Sequence, residues 1–152
     1  MTTREYLQQI ERYDYIIENK IREIERLEAL IKTIPALPYD KDKVESSGGY
    51  DRISATVAKL VDDKRRVEEL LEESRERRNR IIEQIEAMPN PKHVNILSKR
   101  YLQYQELYRL VNIVGRSYSQ VKNIHREALS EFEKLYRHEY RHLKSSLKIN
   151  AD

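Results

Sequence analysis

No cysteine occurs anywhere in the 152 residues, which excludes disulfides, cysteine-ligated zinc and thiol catalysis. The chain needs no oxidising compartment. Tryptophan is absent, phenylalanine occurs once, and three glycines and four prolines leave little turn chemistry for a sheet and much that suits long helices. An all-α fold is the expectation. No run of about eighteen apolar residues is present to span a bilayer, and the opening MTTREYLQQIERYDY lacks the apolar core of a signal peptide. A cytoplasmic protein with no membrane partner is expected.

What is abundant is charge. Asp, Glu, Lys and Arg make up 36% of the chain and mean hydropathy is −0.84, which argues against one compact globule with a large core. The formal net charge of +3 hides an asymmetry. Residues 1–88 hold 17 Lys and Arg against 20 Asp and Glu, whereas residues 89–152 hold 12 against 6. A positive field concentrated on residues 89–152 suits a phosphate backbone partner, and by itself would suit an acidic protein equally.

Apolar spacing divides the chain into two parts. Residues 1–88 read as a helical hairpin or coiled coil. Its first helix runs from Met1 to Ile34, capped by Thr2 or Thr3, with a seam of Leu7, Ile10, Ile17, Ile21, Ile24 and Ile31 that Asp14 and Glu28 interrupt. A neighbouring stripe of Tyr6, Tyr13, Leu27, Leu30 and Ile34 widens this face toward packing against more than one helix. Residues 35–49, PALPYDKDKVESSGG, read as a loop. From Tyr50 to Met88 a heptad seam steps through Ile53, Val57, Leu60, Lys64, Val67, Leu71, Ser74, Arg78, Ile81, Ile85 and Met88. Such a stripe must be buried against the first helix or another chain, and a homodimer through these helices is the expected assembly. The arginine-rich run DDKRRVEELLEESRERRNR alternates in sign at helical spacing, as a solvated face does. Two prolines in MPNPKH, residues 88–93, place the expected domain boundary after Met88, with Pro91 opening the next helix.

Residues 89–152 read as a helix-turn-helix domain with an extended basic C-terminal helix. Leu107, Leu110, Val111 and Val114 follow the three-four spacing of one buried face, and Gly115 stands where that helix must stop. Ser117 can cap a new helix whose inward positions are Val121, Ile124, Ala128 and Leu129. In such a motif the second helix presents its N-terminal outward side chains to base edges in the major groove. Those residues are Tyr118, Ser119, Gln120, Asn123 and Arg126, with Gln and Asn suited to adenine and Arg to guanine. Lys99, Arg100, Arg116 and Lys122 are the candidates for phosphate contacts, which set register without reading sequence.

The pattern Ile96-Leu97-x2-Arg100-Tyr101-Leu102, followed by Leu110-Val111-x3-Gly115-x-Ser117-x3-Val121-x2-Ile124-His125-x2-Ala128-Leu129, resembles the sigma-factor region 4 type of helix-turn-helix. More specifically it is similar to the ArpU/RinA-like regulators of phages of Gram-positive bacteria and their relatives in mobile islands. The ending Ile124-His125-x-x-Ala128-Leu129 is its most distinctive part, and the segment Asp42-Lys43-Val44-Glu45-Ser46-Ser47 extends the likeness upstream. The resemblance implies a transcriptional regulator of late phage genes, an activator working at a promoter in the bacterial host. Departures are Val111 where a small Ala is usual, Leu107 at a place often taken by Trp, and Arg116 in place of an aromatic residue.

Beyond Leu129 the apolar pattern continues through Phe132, Leu135, Tyr136, Tyr140, Leu143 and Leu147, a stripe suited to packing on the coiled coil or to a dimer seam. Arg137, Arg141, Lys144 and Lys148 would extend the phosphate contact. His138 and His142 at i and i+4 lack a third ligand, and no nucleophile elbow or phosphate loop occurs, so no enzyme activity, metal or cofactor is expected. His125 fits a structural role or a phosphate neighbour better than a general base. The expected partners are double-stranded DNA and RNA polymerase, in a nucleoid-associated regulator. Two alternatives remain open at this point: a small terminase-like DNA-packaging subunit, and a sigma-like module that binds polymerase without DNA.

Overall fold

The computed structural model describes residues 1–34 and 47–143, and among them every regular element is helical. The elements are α1 (Thr3–Thr33), α2 (Ser47–Glu86), α3 (Pro91–Leu97), a π-helical turn (Ser98–Leu102), α4 (Leu107–Val114) and α5 (Tyr118–Tyr140). The protein is all-α, a long hairpin of α1 and α2 followed by a helix-turn-helix. Most of the expected 35–49 loop lies outside the described residues, as do most of the Asp42–Ser47 segment, Lys144, Leu147 and Lys148. α2 begins at Ser47, three residues before the expected start at Tyr50.

The start of α1 is fixed by a reciprocal cap. The Thr2 Oγ1 accepts from the Glu5 N–H at 3.2 Å, and the Glu5 carboxylate accepts from the Thr2 N–H at 2.7 Å. The chain divides into two compact units, one of Met1–Asp14 with Glu76–Asp152 and one of Tyr15–Arg75. In the second unit Leu27 of α1 and Leu71 of α2 are buried, and the Lys64 ammonium lies 3.2 Å from the Glu28 carboxylate. Glu28 and Lys64 each interrupt their own helix's apolar seam, and here they meet each other. Ile21, Leu30 and Ile53 are more exposed than the seam readings predict, because two helices alone cover only part of so wide a face.

In the first unit the beginning of α1 and the end of α2 pack with α3, α4 and α5. Its core joins Leu7 and Ile10 to Ile81, Ile85 and Met88, and then to Ile96, Leu97, Tyr101, Leu110, Val121, Ala128, Phe132 and Tyr140. The chain does turn at Met88–Asn90, where the Asn90 side chain caps α3 by accepting from the Lys92 N–H at 3.0 Å, with Pro91 in the first turn. The compact unit nevertheless continues across that turn. A break in helical continuity is legible as proline, whereas shared burial between residues 7 and 132 is not.

Polar groups hold this packing together. Arg78 of α2 and Tyr104 of the segment before α4 both bond Asp14. Tyr104 takes up a left-handed backbone, φ 55°, which strains a residue with a side chain, and its bond to Asp14 anchors the turn there. Asp14 thus joins three segments. Deeper in, the Tyr6 and Tyr140 rings stack at 4.4 Å, Tyr140 shares a 2.7 Å hydrogen bond with Thr3, and the Tyr6 hydroxyl donates to Gln84 at 3.0 Å. Gln84 donates in turn to Glu139 at 2.7 Å, and Arg80 grips the same carboxylate with two bonds of 3.0 Å. Burial, reinforced by Glu139, pushes the Tyr6 hydroxyl up to about 12. The extension of α5 therefore packs back on the hairpin through Phe132, Tyr136 and Tyr140, while Leu135 stays exposed. α5 ends at Tyr140, so Leu143 and His142 lie in a turn, and the i, i+4 helical spacing of His138 and His142 is not realised.

Candidate nucleic-acid interface

The turn between α4 and α5 is built by backbone chemistry. Gly115 sits at φ 65°, ψ 33°, closing α4 with its N–H on the Val111 carbonyl at 3.1 Å. Two residues on, Ser117 caps α5. Its Oγ accepts from the Gln120 N–H at 3.3 Å while the Gln120 side-chain oxygen accepts from the Ser117 N–H at 3.1 Å, a complete capping box. Ser117 followed by Gln120 three residues later is a legible sequence signature, which the assignment of Gln120 to base contact passes over.

α5 turns Val121, His125 and Ala128 into the core with Ile124 and Leu129 half-buried. His125 is enclosed: its Nε2 and the Tyr101 hydroxyl are 3.1 Å apart, and the two rings stack at 5.8 Å. Burial, together with the positive charges of Arg4 and Arg100, lowers its pKa to about 4, so the ring is neutral at physiological pH. It is a packing residue, in line with its structural reading. The hydroxyl of Tyr101 is raised by the same burial.

The opposite arc of α5 is open. Tyr118, Ser119, Gln120, Lys122, Asn123 and Arg126 are exposed, as is Arg116 before the helix. Within this arc the Arg126 guanidinium donates to the Asn123 side-chain oxygen at 2.8 Å, and the Lys122 ammonium stands 4.6 Å from the centre of the Tyr118 ring. A groove flanks each side of the arc. One, of about 360 Å³, lies between the start of α3 and α5 and is lined by Asn90, Lys92, His93, Arg116, Gln120 and Asn123 among others. There His93 is pinned to α5 by Glu131. The other, of about 650 Å³, is lined by Arg4, Lys122 and Arg126 among others.

The structure thus brings together Tyr118, Ser119, Gln120, Asn123, Arg126, Arg116 and Lys122. It does not bring Lys99 and Arg100 to the same place. Both are half-buried on the π-helical turn and line neither groove, and Arg100 lies over the Tyr101 ring with Glu106 at 3.9 Å. Asn90, Lys92 and Arg4 are additions that sequence spacing does not reveal, because each reaches α5 from a distant part of the chain. Of the unit's formal charge, 17 Lys and Arg stand against 12 Asp and Glu, so the positive excess stays with the helix-turn-helix. No helix among the described residues is long and apolar enough to cross a membrane. No family model matches the chain, and neither any curated protein nor any solved structure matches it.

Proposed function

We propose that the protein is a sequence-specific DNA-binding transcriptional regulator that inserts the first turns of α5 into the major groove. One observation carries the reading. The buried face of α5 is fixed by Val121, His125 and Ala128, which leaves Asn123, Arg126 and Lys122 exposed together on a rigidly capped helix after a glycine turn. In this reading Asn123 and Arg126 read base edges, Tyr118 and Ser119 lie close beside them, and Arg116, Lys122 and Lys92 hold phosphates. Arg126 donates to the Asn123 oxygen, so in this arrangement Asn123 offers its side-chain N–H groups, and Arg126 its remaining N–H groups, to acceptors on the base edges. The likeness to ArpU/RinA-like regulators adds an activator of late phage or mobile-island genes, nucleoid-associated in a bacterial host, with RNA polymerase as a partner and a homodimer as the working state.

A binding selection on fragments of host and phage DNA at near-physiological salt tests this. The expected result is one enriched motif, lost when Asn123→Ala and Arg126→Ala are combined, with residual affinity for all duplexes. Uniform recovery of fragments would refute sequence-specific regulation and favour packaging or architectural binding. No recovery at all would leave a protein partner such as polymerase as the better reading.

A further inference from the structure

The larger groove beside α5 has one wall that the helix-turn-helix does not supply. Arg4, in the first turn of α1, faces Lys122, Arg126 and Arg137 of α5 across a space of about 650 Å³ whose floor includes His125 and Leu129. We propose that this groove holds the phosphodiester backbone of the DNA strand flanking the major groove, with Arg4 as a phosphate contact contributed by the N-terminal helix. The inference rests on the reading of α5 as the helix that enters DNA, and it extends the interface to a residue more than a hundred positions away in sequence.

Three features of the groove lead to this occupant. The first is length. Lys122 and Arg137 are fifteen residues apart on one helix, about 22 Å at about 1.5 Å per residue, which suits a polyanion better than a single phosphate. The second is charge. Among the described residues Glu133 is the one acid lining the groove, and it is paired with Arg137 at 3.3 Å, so Arg4, Lys122 and Arg126 give a net positive wall. The third is positioning. Arg4 lines the groove next to Thr3, which is buried and shares a 2.7 Å hydrogen bond with Tyr140 of α5, so the backbone that carries Arg4 is anchored to the helix on the groove's other side. Lys122 and Arg126 belong to the exposed arc and to the groove at once. A strand whose bases meet Asn123 and Arg126 therefore has its phosphates beside Arg4.

The test is a salt titration of binding to duplexes with and without the selected motif, using the full chain. Arg4→Gln is expected to weaken binding to every duplex by the same several-fold factor. It should also reduce the slope of log affinity against log salt by about 0.9, one phosphate's share, with motif preference kept. Arg4→Lys restores most of the slope. Ser130→Glu, an exposed substitution on the groove wall, is expected to weaken all duplexes in the same way and does not depend on how Arg4 supports the fold. Lys59→Gln, exposed on α2 in the other unit, serves as a control and leaves binding unchanged. If Arg4→Gln and Ser130→Glu both match the wild type while Asn123→Ala with Arg126→Ala loses the motif, the groove proposal is overturned and the DNA-reading helix stands. If the wild type binds no duplex, both fall.

Discussion

Gln120 shows how a single side chain can be claimed by two roles. Reading an adenine bidentately needs both its oxygen and its amide, yet that oxygen already accepts from the Ser117 N–H. Gln120→Ala should therefore cost about 1 kcal/mol of stability in denaturant titration, as lost caps do, while motif preference in binding persists. Loss of preference without loss of stability would return Gln120 to base reading. Gly115 was legible as a stop signal because only a residue without Cβ takes φ 65° freely. A Cβ there would meet nothing within 4 Å, so Gly115→Ala should cost about 1 kcal/mol through conformation alone, and Gly115→Asn less. His125 carries a pH signature. Its pKa is about 4 folded against about 6.5 unfolded, so below pH 6.5 the unfolded chain takes up the proton first and stability falls as pH drops toward 4. The loss across that window is on the order of 3 kcal/mol, and most of it should vanish in His125→Gln when unfolding free energy is measured from pH 7 to 4.5. Spacing alone marks position 125 only as adjacent to the buried stripe; its enclosure depends on Tyr101, 24 residues earlier.

At the scale of the helix, the heptad of α2 was readable almost residue by residue: Leu71, Ile81, Ile85 and Met88 are buried, and Val57, Leu60, Val67 and Ser74 half-buried. Its weak positions carried more information than their polarity suggested. Arg78 meets Asp14 and Lys64 meets Glu28, so interruptions in one seam answer interruptions in the other. Each charge would be costly against an apolar position, which sets the register of the antiparallel pair. Arg78→Leu alone leaves the half-buried Asp14 carboxylate without its cation, still held by the Tyr104 hydroxyl, and should cost about 1 to 2 kcal/mol. Adding Asp14→Asn, which removes the unpaired charge and keeps an oxygen to accept from Tyr104, should recover most of that, as judged by thermal unfolding of the two variants. A double variant no more stable than the single one would show that the pair acts through strength and not through register. The end of α5 was less legible. Periodicity carries the apolar pattern past Tyr140, whereas α5 ends at Tyr140, where Tyr140 bonds Thr3 and stacks on Tyr6 and the Glu139 carboxylate accepts from Gln84. Sequence period reports what a helix could bury, not whether a partner surface extends that far.

For the molecule as a whole, the proline break at residues 88–91 and the edge of the compact unit are different things. The helix-turn-helix core borrows Tyr6, Leu7 and Ile10 from α1 and Ile81 and Ile85 from α2, so residues 89–152 cut out alone would expose one face of Phe132 and Tyr140. Losing burial of several large side chains, each contributing about 1.5 to 3 kcal/mol, exceeds the usual net stability margin of so short a chain. The fragment 89–152 should accordingly show no cooperative unfolding transition in urea. A chain in which a short polar loop joins Asp14 directly to Glu76 keeps the core residues from Tyr6 to Tyr140 together, because Arg78 and Asp14 already touch and a few residues suffice to connect antiparallel neighbours. It should unfold cooperatively and bind duplex DNA with the salt slope of the full protein. If residues 89–152 fold cooperatively without the hairpin ends, the first fourteen residues are dispensable to the core, and Arg4 loses the rigid placement on which the proposed phosphate contact depends.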